Sequence, residues 1–274
     1  MLSNRFAVFI LYPLVASFGL TFTDWDLNSP LNWVGLDNIA RMLSDPTAAK
    51  VFRNTIYFTA VTVPILIALP LALAVAMNQR IRGMRFFRAA YFLPVISSMV
   101  AVSMVWQWMY NTDFGLVNYG LSFLGITGPS WLSTQEWAMP AVMLTSIWKN
   151  IGFNMMLFLA GLQGIPTLYY EAAELDGANW LSRFRYITFP LLAPTTLFVT
   201  VITIINSLQV FDQVVVMTGG GPSRSSSVLV HYIYQNGFKF YQMGYASALG
   251  WGLTIFILGL TLIQFRISKR FQVD

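Results

Sequence analysis

The chain has no cysteine and a single histidine, His231. Without thiols, disulfide frameworks, iron–sulfur clusters and thiol catalysis are excluded. One imidazole outside the apolar runs argues against a histidine-based metal centre. Charge is scarce too: Asp, Glu, Lys and Arg make up 10% of the 274 residues, against roughly 25% in soluble domains. No G-x-x-x-x-G-K-[ST] phosphate loop occurs. The glycine-rich Gly219–Arg224 has no lysine and reads as a turn. There is no period of the length that marks a repeat array, and no low-complexity tail.

What is abundant is apolar. Hydrophobic residues are 56% of the chain and the mean hydropathy is +0.61. A soluble fold of this size leaves part of its chain in water and could not hide so much apolar surface. A membrane helix needs about 20 mainly apolar residues, and several windows qualify. The short alternating segments of a barrel are absent. The expected class is all-α, polytopic and membrane-spanning, a single domain over 1–274. The net charge of +5 marks topology at a cytoplasmic face rather than nucleic-acid binding.

Six spans are expected, at about 6–22, 54–78, 89–110, 137–163, 194–217 and 244–267. The first lacks a small-x-small cleavage site and reads as a retained helix, and its short lead leaves room for a longer N-terminal tail. Pro13 within it is tolerable in a membrane. Residues 24–53 are polar, with turn signals at Ser29-Pro30 and Asp45-Pro46. Trp106, Trp108 and Tyr110 read as an interfacial belt. Ten basic residues then fall on one side: Arg5, Arg80, Arg82, Arg85, Arg88, Arg183, Arg185, Arg266, Lys269 and Arg270. Arg41, Lys50, Arg53, Arg224 and Lys239 fall on the other, and Lys149 lies within a span. This bias puts both termini in the cytoplasm.

Residues 164–193 then form a cytoplasmic loop. Pro166 and Thr167 favour a helix start, with Leu168, Ala172 and Leu175 on one face. Gly177 suits a left-handed stop, and a second short helix fits Trp180 to Thr188, ended by Pro190. Small Ala172 and Ala173 permit close approach of a partner, to which Glu171, Glu174 and Asp176 offer charge. Packing under the chain's own bundle is the competing reading.

The stretch "EAAELDGANWLSRFRYITFPLLAP" (Glu171–Pro194) resembles the EAA loop of permease subunits of binding-protein-dependent ABC importers. The match rests on Glu171, Ala172, Ala173, Asp176, Gly177, Ala178, Phe184, Ile187, Pro190 and Pro194. "VGLDNIARMLSDP", "NTIYFT", "RGMRFFRAAYFLP", "IWKNIGFNMMLFLAGLQGIP" and "FDQVVVMTGGGPSRSSS" resemble the carbohydrate branch, the maltose and glycerol-phosphate type. Ser225–Ser227 departs slightly from that branch's usual Ser-Thr. The resemblance implies a type I ABC importer permease fold without enzymatic activity of its own, in a bacterial or archaeal plasma membrane. It implies a second permease chain, two copies of a cytoplasmic ATPase that uses ATP and Mg, and an external solute-binding protein, with no cofactor in this chain. It also implies that Tyr169, Tyr170, Glu171, Ala172, Ala173, Glu174, Asp176, Gly177 and Ala178 couple to the ATPase. Glu171 would meet a basic residue there, and Gly177 would make the turn.

Polar groups inside spans cost free energy and mark pathways. Lys149 has Asp212 as its only acidic candidate partner within the spans. It reads either as a pathway residue or as a structural pair or partner contact. Asn150, Asn154, Asn206, Ser207, Gln209 and Gln213 offer the donors and acceptors that sugar hydroxyls need; interhelical hydrogen bonding is the alternative. Met104, Met155 and Met156 read as packing. Two other classes compete with an importer permease. An ion-gradient-driven secondary transporter would show inverted repeats or a discontinuous helix pair, and neither is legible. A membrane enzyme would need a catalytic set that is missing.

Overall fold

The computed structural model describes residues 5–79 and 83–268, with side chains for all of these but Arg85 and Ser268. The expected basic positions Arg80, Arg82, Lys269 and Arg270 lie outside the described residues. Among the described residues the chain is helical, with one isolated β-bridge between Thr23 and Trp33.

Helix α1 (Ala7–Leu20) opens the chain, with Pro13 in the first turn of its regular part. The polar segment after it folds on itself. Asp26 accepts from the backbone N–H groups of Asn28 and Ser29 at 3.0 and 2.7 Å, and Asn38 donates to the carbonyls of Thr21 and Thr23. Helix α2 (Asp37–Ser44) follows, then α3 (Pro46–Met77). Asp45-Pro46 is therefore a helix start rather than a turn. Asp45 accepts from Thr47 N–H at 2.7 Å, and proline at the first position costs no hydrogen bond. This cap starts the helix at Pro46, ahead of the Asn54 expected from hydropathy.

The third expected span is broken. Helix α4 (Met84–Ile96) and helix α5 (Met99–Met109) meet at Ser97–Ser98, both in extended conformation, with a bend of 100°. Pro94 removes a backbone donor just before the break. A discontinuous helix is thus present where the sequence showed none. Of the three aromatics expected to form a belt, Trp108 is exposed and Trp106 half-buried. Tyr110 is 1% exposed, donates to Ala141 O at 3.3 Å and packs against Trp106 and Trp131. Its ring is core.

After a short helix α6 (Leu116–Ser122), α7 (Gln135–Gln163) forms the central post. It packs most extensively against α3, and also against α4. Helices α8 (Thr167–Leu175) and α9 (Trp180–Arg183) build the next loop. The helical backbone then continues through Phe184–Thr188 and Phe189–Leu191, so Pro190 sits in a first turn and does not end it. Helix α10 (Ala193–Leu208) is interrupted at Gln209–Phe211 before α11 (Asp212–Met217). Helix α12 (Leu229–Tyr234) and the long α13 (Met243–Ser268) complete the chain. Among the described residues four helical stretches, Pro46–Met77, Gln135–Gln163, Ala193–Met217 (α10 with α11) and Met243–Ile267, are long and apolar enough to cross a membrane, and the bent α4–α5 pair makes a fifth. Helix α1 is apolar but shorter.

The core is divided. At one end Phe58, Tyr110, Met139, Val142, Val214 and Met217 cluster; at the other Met155, Phe158, Leu159, Leu192 and Val199 do so. Both clusters draw on α7. Met155 is buried as expected of a packing residue, whereas Met104 is exposed on α5. Between the two apolar zones, α7 carries Ser146, Lys149, Asn150 and Asn154, and there the interior opens.

Candidate functional site: a polar cavity and an exposed helix

A cavity of about 350 Å³ lies between the apolar zones. All eight pathway residues expected from sequence line it: Lys149, Asn150 and Asn154 from α7, Asn206 and Ser207 from α10, Gln209 from the interruption, and Asp212 and Gln213 from α11. The helix interruptions explain the convergence. The break at 209–211 lets the chain change direction beside α7, and the break at 97–98 brings Met99 to the rim.

The eight do not play one part. Asn154 is 3% exposed and donates to Leu66 O at 2.7 Å and to Thr203 Oγ1 at 3.0 Å, tying α7 to α3 and α10. Ser207 pairs with Thr62 at 3.3 Å, and Gln213 donates to Ser146 Oγ at 3.4 Å. These three make interhelical bonds. Asn150 donates to Ser146 O within its own helix. Asn206, Gln209 and Asp212 remain exposed, with no side-chain hydrogen bond among the described residues. Lys149 and Asp212 share the cavity without forming an ion pair, since the one salt bridge among the described residues joins Arg183 and Glu174. Phe153 and Phe211 also line the cavity. Sequence reading missed them, because an aromatic in an apolar run carries no signal of which way it faces.

The second feature is the 164–193 loop. Gly177 has φ +75°, where glycine alone is unstrained. Its N–H donates to Glu174 O at 3.0 Å and Ala178 N–H to Ala173 O at 2.9 Å, the paired bonds of a Schellman stop. Asn179 caps α9 by accepting from Ser182 N–H. Tyr170 meets Thr188 at 2.9 Å and Glu174 meets Arg183 at 3.4 Å. Both therefore hold the loop together. Leu168 (70% exposed), Tyr169, Glu171, Ala172 and Leu175 (90% exposed) form the outward surface of α8. A nine-residue helix closed by a Schellman stop thus carries two largely exposed leucines.

At the far end, the 218–228 segment is more than the turn read from its glycines. Gly219 and Gly220 take positive φ. Asn54 donates to the carbonyls of Arg224 and Ser227, and Lys50 to Ser223 O, so the segment is bound to α3. His231 is buried against Ser227 Oγ at 3.0 Å. Burial, and then the charges of Lys239 and Arg224, push its pKa down to about 4. No group of three or more potential metal-ligating side chains exists among the described residues.

A family model described as "Binding-protein-dependent transport system inner membrane component" matches residues 39–273. The chain belongs to this family. It is a permease subunit of an ATP-driven importer, a multi-pass plasma-membrane protein and not itself an enzyme. Over 270 residues it is 34% identical to the arabinooligosaccharides transport system permease protein AraP of Bacillus subtilis, covering 97% of this chain and 86% of that one. Over 269 residues it is 36% identical to the lactose transport system permease protein LacF of Rhizobium radiobacter, covering 96% and 90%. Its fold matches, with a TM-score of 0.87 and 24% identity, a chain of a bacterial ABC transporter that imports the acidic polysaccharide alginate, covering 97% and 92%. The broken helix is accordingly a feature of a permease and not of an ion-gradient transporter.

Proposed function

We propose that this permease forms half of a translocation pathway for a neutral sugar, polyol or related glycoside, delivered by an external binding protein. The observation that carries the reading is the cavity. Amides of Asn150, Asn206 and Gln209 supply donors and acceptors together, which hydroxyl-rich molecules need. One ammonium and one carboxylate leave its walls without a dominant charge. Phe153 and Phe211 add aromatic faces on which a sugar ring can lie. The names of the relatives, arabinooligosaccharides and lactose, agree with that chemistry.

A second permease chain closes the other half of the pathway. Two copies of an ATPase meet the cytoplasmic side, and α8 enters a cleft on one of them through Leu168, Tyr169, Glu171, Ala172 and Leu175. Tyr170, Ala173, Glu174, Asp176, Gly177 and Ala178 set the shape of that loop. The 164–193 end and both termini then face the cytoplasm, the basic residues lie mainly on that side, and α1 makes a sixth span. ATP and Mg act in the partner ATPase.

The test is to purify the chain from its native membrane in mild detergent, identify every co-purifying subunit, and screen the associated binding protein by calorimetry. A panel of neutral oligosaccharides, sugar phosphates and amino acids suffices. Submillimolar binding of a neutral saccharide or polyol is the expected result. Binding confined to amino acids or to phosphorylated ligands would overturn the substrate class, and absence of an ATPase would overturn the coupling role.

A further inference from the structure

The break between α4 and α5 leaves backbone groups without helical partners, since the last carbonyls of a helix have no intrahelical donor. Inside a membrane such groups must be satisfied by the protein. Ser97 N–H bonds to Pro94 O at 3.3 Å, and the next carbonyl, that of Val95, is met by Lys149 Nζ at 3.5 Å. Among the described residues no other donor reaches Val95 O. An ammonium at a helix C-terminus is also favoured by the aligned peptide dipoles, an effect that does not depend on a short contact. One helical turn along α7 lies Gly152, where a Cβ would run into Tyr91 O and lie 3.3 Å from Phe92 Cα. Helix α7 thus grips the end of α4 twice, by close backbone approach at Gly152 and by charge at Lys149.

We propose that Lys149 is a positioning residue: it caps the broken helix at Val95 and so fixes the Met99 side of the cavity, instead of binding cargo or pairing with Asp212. This inference rests on reading the cavity as the pathway only for its consequence; the cap itself does not depend on it. It explains how a charge is tolerated in a span. It also explains why Asp212 makes no ion pair with the one lysine that shares its cavity. A half-helix whose last carbonyl is met by one side chain and whose body rests on one close backbone approach has few bonds to break when it moves, which suits a pathway that must open on alternate sides.

The chain's lack of cysteine makes the test direct. Leu93→Cys on α4 and Phe198→Cys on α10, both exposed positions, would carry spin labels in the full chain, reconstituted in liposomes with its co-purifying subunits. A single narrow distance is expected in the parent. Lys149→Met should add a second population displaced by roughly 5 Å, the scale of one helical turn. Lys149→Arg should restore the parent distribution, and Asp212→Asn should leave it unchanged. Gly152→Ala keeps the lysine but obstructs the close approach, and should displace α4 as Lys149→Met does, which covers failure of that variant to insert. An unchanged distribution in Lys149→Met would overturn the cap whatever Gly152→Ala shows; where Lys149→Met does not insert, an unchanged distribution in Gly152→Ala would do so. So would an Asp212→Asn distribution matching that of Lys149→Met, since that identifies an ion pair. None of these readings needs cargo, so a negative result leaves the permease function standing, whereas loss of the ATPase partner strikes the function and leaves the cap.

Discussion

The 164–193 loop and the 218–243 loop are built from similar parts, yet they are opposite kinds of surface. Each has a glycine turn at positive φ and short helical pieces between two long helices. In the first, two leucines of α8 stand free of the bundle and the polar side chains bond mostly to one another. In the second, Ser226, Ser227 and Val228 are fully buried, and Asn54 and Lys50 of α3 bond the backbone. The second is completed by the chain itself; the first leaves its leucines uncovered. Similar polarity in sequence therefore says little about which loop the chain itself covers. The destination of the backbone hydrogen bonds says more.

Experiments that set the two loops against each other should rank as follows. Charge reversal Glu171→Lys should act most strongly. It should weaken ATPase co-purification at least 30-fold, in the range lost when a buried interfacial charge pair is broken, while the thermal midpoint of the isolated chain stays put. Asn54→Ala should do the reverse, removing two bonds to partly buried carbonyls and costing about 1–3 kcal/mol of stability, read as a lowered midpoint and faster proteolysis within 218–228, with ATPase binding retained. A shared loss in both variants would erase the distinction.

Acid should also act on the second loop alone. The folded pKa of His231, about 4, lies below its ordinary value of 6.5. As pH falls below 6.5 the unfolded chain takes up a proton that the folded chain refuses. Stability from this group is whole above pH 6.5, declines by at most about 1.4 kcal/mol per pH unit, and stops declining below pH 4. His231→Gln should flatten that part of a thermal-shift profile. A smaller effect is expected from Gly177→Ala, about 1 kcal/mol confined to the Schellman stop, seen as faster amide exchange at Ala178. Smallest of all is Arg183→Gln. It removes an ion pair whose glutamate is largely exposed and should shift the midpoint by less than about 0.5 kcal/mol.

Much of this was legible in the sequence, for definite reasons. Helices α7 and α13 announce themselves because long apolar runs have few alternatives in lipid. The start of α8 at Thr167 and its stop at Gly177 follow from backbone chemistry local to those residues. Eight of the cavity's lining residues were visible because polarity inside a span is costly, while Phe153 and Phe211 carried no such signal. Three things were not legible. The break at Ser97–Ser98 sits in an apolar stretch whose composition differs little from an unbroken helix. The burial of Tyr110 depends on Ala141 and Trp131, distant in sequence. The division of the cavity residues into helix ties such as Asn154 and free groups such as Asn206 depends on which neighbours the fold brings near.

The carboxylate of Asp45 receives the hydroxyls of both Tyr232 and Tyr245 at 2.7 Å. Burial pushes its pKa up, and these hydroxyls together with the N–H groups of Thr47 and Ala48 outweigh that, so it stays below the ordinary range. The cap of α3 is therefore finished by residues synthesised some 200 positions later. During synthesis α3 forms with its leading carboxylate served only by its own backbone, and the clamp closes in two steps, Tyr232 of α12 first and Tyr245 of α13 after it. A chain stopped before Tyr232 would have neither clamp, and one stopped between Tyr232 and Tyr245 only the first. The start of α3 thus reaches its full set of bonds only once α12 and α13 are both in place.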